Sequence, residues 1–312
     1  MFDKIKRFAG KILTLAILVS IVIYVYSNVE ELRDAEFDLR IEYVCLSFLF
    51  ASLGHLLNML TWYRLAHSYG LKADLVTTAR AWILSRLGRY VPGKVVLLIV
   101  RMNLYKGMSK KSVGMATVTE YLSSLAAAGI VLSAAIVTYP GKSPLYYPAA
   151  VITGVVLLAI ALHPKVLQRF ANKLLQLAKR RPIEEYPPYT KILGYVAAYL
   201  LPIAAHGLGF FFLLNALQEV SGRYILTLTG IYYASSLIGM AAVFAPSGIG
   251  IREGILFLIL PQIIPKPLVI VGAVSIRLVV TAAELLQAGV FSLFARMRGR
   301  DSVKSIASES PE

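Results

Sequence analysis

The chain is 312 residues long, 57% of them hydrophobic, with a mean hydropathy of +0.68 and apolar runs from end to end, so no separate soluble domain of useful size can be cut from it. Its 32 lysines and arginines against 17 acidic residues leave a net charge of +15; these cations cluster beside apolar runs, where membrane orientation and anionic lipid explain them and nucleic acid is not needed. The single cysteine, Cys45, excludes a disulfide framework, argues against a metal cluster and reads as a small core residue within an apolar span.

In chain order, Lys4, Lys6, Arg7 and Lys11 precede an apolar run from Ile12 to Tyr26, whose bulky end makes a poor cleavage site. It reads as an uncleaved first span with the N-terminus inside. Ile41 to Trp62 forms the second span, on which His55 and Asn58 lie one turn apart. They read as hydrogen-bonding partners for neighbouring helices rather than metal ligands.

The stretch Arg86-Leu-Gly-Arg-Tyr-Val-Pro-Gly-Lys94 then interrupts an apolar helix with Gly88, Pro92 and Gly93, and brings Arg86, Arg89 and Lys94 to the break. The arm before it, Ala81 to Val91, is 11 residues. That is about 16 Å of helix against about 30 Å of hydrocarbon. The segment cannot span; it enters, turns at Pro92-Gly93 and leaves along Val95 to Val100 on the side it entered, with Arg101 at the exit. Broken backbone in hydrocarbon survives only where protein or a water-filled cavity satisfies its polar groups, so the hairpin implies a wet, cationic pocket for a lipid headgroup or other anion. The plainer alternative is an interfacial loop whose arginines touch headgroups outside the protein.

Ser112 to Val137 is the next span, with Glu120 about two turns inside it. An ionisable group there either faces a pathway or forms a structural ion pair, with Arg101 or Arg89 as partner. Tyr139 to Pro148 reads as an outer loop, Ala149 to Leu162 returns, and His163 to Lys191 is a basic connection. Within it Val166, Leu167, Phe170, Leu174 and Leu177 recur at helical spacing, as in an amphipathic helix lying on an anionic leaflet. Ile192 to Ala216 spans again, with Pro202, His206, Gly207 and Gly209 marking a kink and a close-packing face.

A second break is Phe244-Ala-Pro-Ser-Gly-Ile-Gly-Ile-Arg-Glu253. Ser247, Gly248 and Gly250 allow backbone to approach a ligand, and Arg252 adds bidentate phosphate capacity at the start of a half-helix, Ile249 to Leu260. Glu253 reads as an ion-pair or proton-linked carboxylate. The approach, Tyr224 to Ala245, is long enough to cross fully, so a hairpin and a full span plus half-helix both stay open. A tight turn between two spans is the third reading. Leu268 to Phe294 is the last span; it carries Arg277 and Glu284 and ends in Arg296, Arg298, Arg300 and Lys304, which place the C-terminus inside.

The sum is an all-α polytopic membrane protein, a single membrane domain over 1–312, with about six full spans and two broken or re-entrant hairpins. Residues 41–140 and 192–294 each hold a Pro/Gly break followed by a span with a glutamate, Glu120 or Glu284. That is the pattern of an inverted repeat.

At Gly88-Arg-Tyr-Val-Pro-Gly-Lys94, with Arg101, Gly107 and Glu120 downstream, and at Ala245-Pro-Ser-Gly-Ile-Gly-Ile-Arg-Glu253, the sequence resembles the flippase-like membrane domain of lysyl-phosphatidylglycerol synthases and its free-standing relatives. The resemblance covers nearly the whole chain. It implies a plasma-membrane protein that moves an anionic or polyprenyl-phosphate-linked headgroup between leaflets, served by a separately encoded lipid- or glycan-modifying enzyme. The aminoacyl-transfer domain of the full-length synthases is not seen here, so lysyl transfer is not expected.

The working expectation is therefore a lipid translocator, not an enzyme, with Arg86, Arg89, Lys94, Arg101, Ser247, Gly248, Gly250 and Arg252 at the headgroup. Glu120, Glu253, Arg277 and Glu284 would form intramembrane pairs that switch between states, with Glu120 and Glu284 as proton carriers. No nucleotide motif is present, and no cofactor is expected. The rivals are a transferase using a polyprenyl-phosphate donor, with Glu120 or Glu253 as base, and a scaffold for a lipid or glycan synthase.

Overall fold

The computed structural model describes residues 39–88, 95–139, 149, 152–156, 160, 162–177, 182, 186–241, 248 and 250–308. These hold α1 (Ile41–Ser68), α2 (Leu75–Leu87), α3 (Val95–Leu104), α4 (Lys110–Thr138), α5 (Pro164–Leu177), α6 (Tyr189–Leu217), α7 (Ile225–Ala241), α8 (Ile251–Ile259) and α9 (Lys266–Ser308). No strand occurs among the described residues, and α1, α4, α6 and the Lys266–Met297 part of α9 are long and apolar enough to cross a membrane. The predicted first span, Ile12 to Tyr26, lies outside the described residues, as do most of the loop after Tyr139 and both Pro-containing breaks. The return segment after it is helical at residues 152–156.

Local chemistry sets the element ends. α1 runs six residues past the expected Trp62 and stops at a glycine: Gly70 has φ +76°, Leu71 N–H donates to Ala66 O at 3.1 Å and Gly70 N–H to His67 O at 3.0 Å. α2 begins at Leu75 rather than Ala81, because the Asp74 carboxylate caps it, accepting from Val76 N–H at 2.9 Å and Thr77 N–H at 3.2 Å. α4 starts at Ser109, whose hydroxyl accepts from Ser112 N–H at 3.3 Å. α9 is 43 residues, about 64 Å, so its C-terminal part runs well beyond a hydrocarbon core.

α1 and α6 are antiparallel partners along their length. Tyr43 stacks on Phe212, a Cβ on Gly209 would sit 3.2 Å from Ser47 O, Gly54 faces His206, and Tyr195 O–H donates to Arg64 O at 3.1 Å. Calling the end where α1 begins the near end, α6 finishes there, where Arg40 N–H donates to Ala216 O at 3.1 Å. α9 starts there too, since Gly272 abuts Leu214.

The arms on either side of the second break, α7 and α8, form a hairpin. Thr138 bonds Thr227 at the start of α7, while the next residue, Tyr139, donates its hydroxyl to Ile259 O at the end of α8 at 2.9 Å. α7 and α8 therefore enter from the near end and return to it, which excludes the full crossing left open above. α2 and α3 form the corresponding hairpin from the far end. Gly88 lies on Leu97, and Tyr105, just past α3, accepts from Trp62 Nε1 in the last turns of α1 at 2.9 Å. At 13 and 10 residues these arms reach about 20 and 15 Å, half a bilayer.

The elements α1 to α4 and α6 to α9 repeat one arrangement in opposite orientation: full span, hairpin, full span. The first hairpin packs on α9 and the second on α4, so each is clasped by the exit helix of the other unit. Outward faces carry apolar side chains, among them Leu49, Leu201, Leu278 and, at 78% exposure, Leu258, as hydrocarbon requires. Cys45 lies on such a face and is exposed, not a core residue as its surroundings in sequence implied.

Candidate functional site

Two charged centres are built on the hairpins, the first on the returning arm α3 and the second beside the break at the start of α8. In the first, Arg101 on α3 is 1% exposed and pairs with Glu120 of α4, its Nε donates to Ser85 Oγ at 3.0 Å, and its guanidinium lies 4.0 Å from the Trp62 ring. Nη1 also reaches Thr117 Oγ1 at 3.3 Å. Glu120 accepts in addition from Trp82 Nε1 at 2.8 Å. Both charges are neutralised and hydrogen-bonded in place, the condition under which a buried pair holds. Arg101 was expected at the headgroup; its burial and its partners make it the bolt that fixes the hairpin to α1 and α4. Glu120 is its counter-ion, closed off by Trp82.

The second hairpin has a matching fastening. Glu253, in the first turn of α8, accepts from Gly250 N–H at 2.6 Å and pairs with Arg277 of α9. The start of α8, where an anion was expected, is thus capped by the chain's own carboxylate. The Gly250 N–H is taken. Gly250 and Gly248 have φ of +84° and +67°, and Gly248 lies against Gly239, so these glycines serve the close approach of two backbone arms.

Two arginines lack such enclosure. Arg252 donates through Nη2 to Ser236 Oγ at 2.7 Å and lies 5.4 Å from the Tyr232 ring, with no carboxylate partner among the described residues. Arg86, at the tip of α2, lies 4.6 Å from the Trp82 ring and 3.5 Å from Glu284 Oε1 of α9, with 25% of its side chain exposed. Arg86 connects through Glu284 and His55 to His206, whose Nδ1 lies 3.4 Å from the hydroxyl of Tyr233 on α7, and Arg252 stands over the ring of the adjacent Tyr232. The hairpins from opposite ends therefore bring one cation each to a common interior region. Arg89, Lys94 and Ser247 fall outside the described residues.

The structure adds groups that the sequence reading gave no part in the site. His55 of α1 and His206 of α6, at matching places in the two units, meet edge to face with ring centroids 4.9 Å apart. His55 Nε2 is 3.9 Å from Glu284 Oε1, and Tyr233 O–H is 3.4 Å from His206 Nδ1. The available signal was an ionisable residue at mid-depth in each unit's first span. Beside this region α4, α6 and α7 border an open apolar groove of about 230 Å³, lined by Val131, Leu200, Ala204, Leu208, Leu226 and Thr229 among others.

Antiparallel spans with two half-membrane hairpins inserted from opposite ends, each delivering an arginine to the middle, define an integral membrane protein of inverted-repeat build with a charged interior. The chain belongs to the family described as the lysylphosphatidylglycerol synthase TM region, whose model it matches over residues 12–286. Among curated proteins none matches it significantly.

Proposed function

We propose that the protein is a lipid translocator that passes an anionic headgroup, either of a phospholipid or of a polyprenyl phosphate, between leaflets, and that it is not an enzyme. The observation that carries this reading is that Arg86 of the first hairpin and Arg252 of the second are joined inside the protein by a continuous run of side-chain contacts through Glu284, His55, His206 and the Tyr233–Tyr232 pair. A headgroup phosphate held by one arginine on each of two oppositely inserted hairpins is handed over when the units rock against each other. Arg101–Glu120 and Arg277–Glu253 hold each hairpin rigid on its full-span neighbours during that motion. The two bases that a transferase would need, Glu120 and Glu253, are both already engaged, by Arg101 with Trp82 and by Arg277 with Gly250 N–H.

The far end carries Arg64, Lys72, Lys106, Lys110, Lys165, Arg169 and Lys173 on exposed positions, so it faces the cytoplasm of a plasma-membrane protein with both termini inside. α5 lies there, its basic residues on anionic lipid. A separately encoded enzyme supplies or consumes the headgroup.

The test is reconstitution with a fluorescent phosphatidylglycerol and with a polyprenyl phosphate, following leaflet exchange by dithionite quenching. Exchange is expected in the wild type and is expected to fall at least tenfold in Arg252→Ala and in Arg86→Ala. Equal exchange in wild type and both variants defeats the reading.

A further inference from the structure

α1 turns one stripe of residues toward α6: Ser47, Ala51, Gly54, Asn58, Thr61 and Leu65, spaced alternately by four and three. Ser47, Ala51, Gly54, Thr61 and Leu65 are buried. Asn58 alone of the six is partly exposed, although the stripe faces protein and not lipid. Its amide makes no hydrogen bond to any described residue, so the neighbouring-helix partner expected for it is not found there.

α6 answers with Tyr195, Tyr199, Pro202, His206 and Gly209 at the same spacing. Tyr195 O–H on Arg64 O, His206 on Gly54 and Gly209 on Ser47 fix the antiparallel register. That register sets Pro202 opposite Asn58 and Tyr199 opposite Thr61. Pro202 lies inside the helix and has no N–H to give the carbonyl of Ala198. The Tyr199 hydroxyl, on a side chain that is 1% exposed, also has no hydrogen-bond partner among the described residues. An open amide and a buried phenol left unpaired at one level of a seam are costly unless something pairs with them.

This part of the seam adjoins Arg86. Asn58 is one turn from His55 on α1, and the same Glu284 oxygen lies 3.9 Å from His55 Nε2 and 3.5 Å from Arg86 Nε. We propose that Asn58 and Tyr199 form a hydroxyl-binding subsite beside Arg86, so that the headgroup taken is a phosphate esterified to a polyol. The amide supplies two N–H donors and a carbonyl acceptor, and the phenol supplies one of each, which suits a pair of neighbouring hydroxyls. Neither group has the negative charge that an ammonium headgroup calls for. The subsite rests on the translocator reading for its anion; the unpaired amide and phenol belong to the chain whatever it carries.

The test uses the purified full chain and two short-chain fluorescent lipids alike in charge and tails: phosphatidylglycerol, whose headgroup has free hydroxyls, and phosphatidylpropanol, whose headgroup has none. The wild type is expected to bind phosphatidylglycerol roughly tenfold more tightly, the order for one buried hydrogen-bonding group left unpaired. Asn58→Leu, of similar volume, is expected to bind both lipids at the weaker value, and Tyr199→Phe to lie between. Asn58→Ala takes its place should Asn58→Leu not fold. Equal affinities in the wild type, as for a seam that holds only water, overturn the subsite. An equal loss of both lipids in Asn58→Leu, the mark of a structural role, does so too. Leaflet exchange of the same probes in sealed vesicles tests the translocator reading separately. A phosphatidylglycerol preference that Asn58→Leu abolishes, with no exchange by the wild type, keeps the subsite and removes translocation. Exchange of both lipids at one rate and one affinity keeps translocation and removes the subsite. Binding of neither lipid overturns both.

Discussion

Gly239 and Gly248 meet backbone to backbone: a Cβ on Gly248 would lie 2.8 Å from the Cα of Gly239. The first hairpin closes in the same manner, with a Cβ on Gly88 falling 3.1 Å from Leu97 N. At Gly248 only hydrogen fits, and at Gly88 a methyl group would press on the backbone of α3. The half-helices keep their depth because the arms cannot spread without losing this contact. Gly248→Ala is expected to destabilise the protein, since it adds a contact with rigid backbone to a φ of +67° that itself costs about 1–3 kcal/mol in a non-glycine residue. Gly254→Ala on the same half-helix has nothing within 4 Å of the new methyl group and is expected to be neutral or slightly stabilising. Thermal unfolding in detergent checks both, and equal melting temperatures for the two variants would contradict this account of the hairpin.

The Arg101–Glu120 pair makes a different demand. Removing one member leaves the other charged and buried between α1, α2 and α4, a loss of about 3–5 kcal/mol for such pairs. Arg101→Gln and Glu120→Gln are each expected to lower the unfolding temperature markedly, whereas Arg252→Ala, which leaves no buried carboxylate behind, is expected to melt near the wild type while losing transport. A double Arg101→Gln, Glu120→Gln variant more stable than either single variant would show the coupling directly. Strict additivity would place the pair outside the framework.

Much of this fold is legible in the sequence because hydrocarbon imposes hard lengths: 28 or 29 apolar residues span, and the 13 and 10 residues of α2 and α3 do not. Pro92 and Gly93 mark the first break for the same reason. What the sequence does not carry is which side chain meets which. Arg86 and Arg101 look alike beside the break, yet Arg101 sits where α3 crosses α4 and is consumed by Glu120, while Arg86 at the tip of α2 stays partly open. The start of α8 reads as an anion site, but Glu253, three residues after Gly250, folds back to fill it. His55 and His206 are 151 residues apart and meet only because α1 and α6 run antiparallel, a long-range fact that no local spacing encodes.

The opposite insertion of the hairpins is open to direct labelling. In a Cys45→Ser background, Lys72→Cys and Lys106→Cys flank the first hairpin, and Arg223→Cys and Gln262→Cys flank the second; all four positions are exposed. An impermeant maleimide applied to sealed vesicles is expected to reach the first two from one side only and the last two from the other side only. Labelling of positions 223 and 262 from different sides would turn α7 and α8 back into a crossing and remove the inverted repeat.

The apolar groove between α4, α6 and α7 gives the last prediction. Leu226 and Ala204 at its rim are exposed to hydrocarbon, and Thr229 in its wall is one helical turn from Tyr233, which lies on the run of contacts joining the two arginines. A lipid whose phosphate sits beside Tyr233 has its tail within reach of this apolar groove. Ala204→Trp places a bulky ring in the mouth from an exposed position, so folding is expected to be unaffected. Each methylene displaced from the groove costs about 0.8 kcal/mol, and two cost roughly tenfold in affinity. Exchange of a long-chain probe is therefore expected to slow about tenfold in Ala204→Trp while a short-chain probe with the same headgroup slows little. Equal slowing of both probes would mean that the ring acts on the protein's motion, and that the tail travels elsewhere.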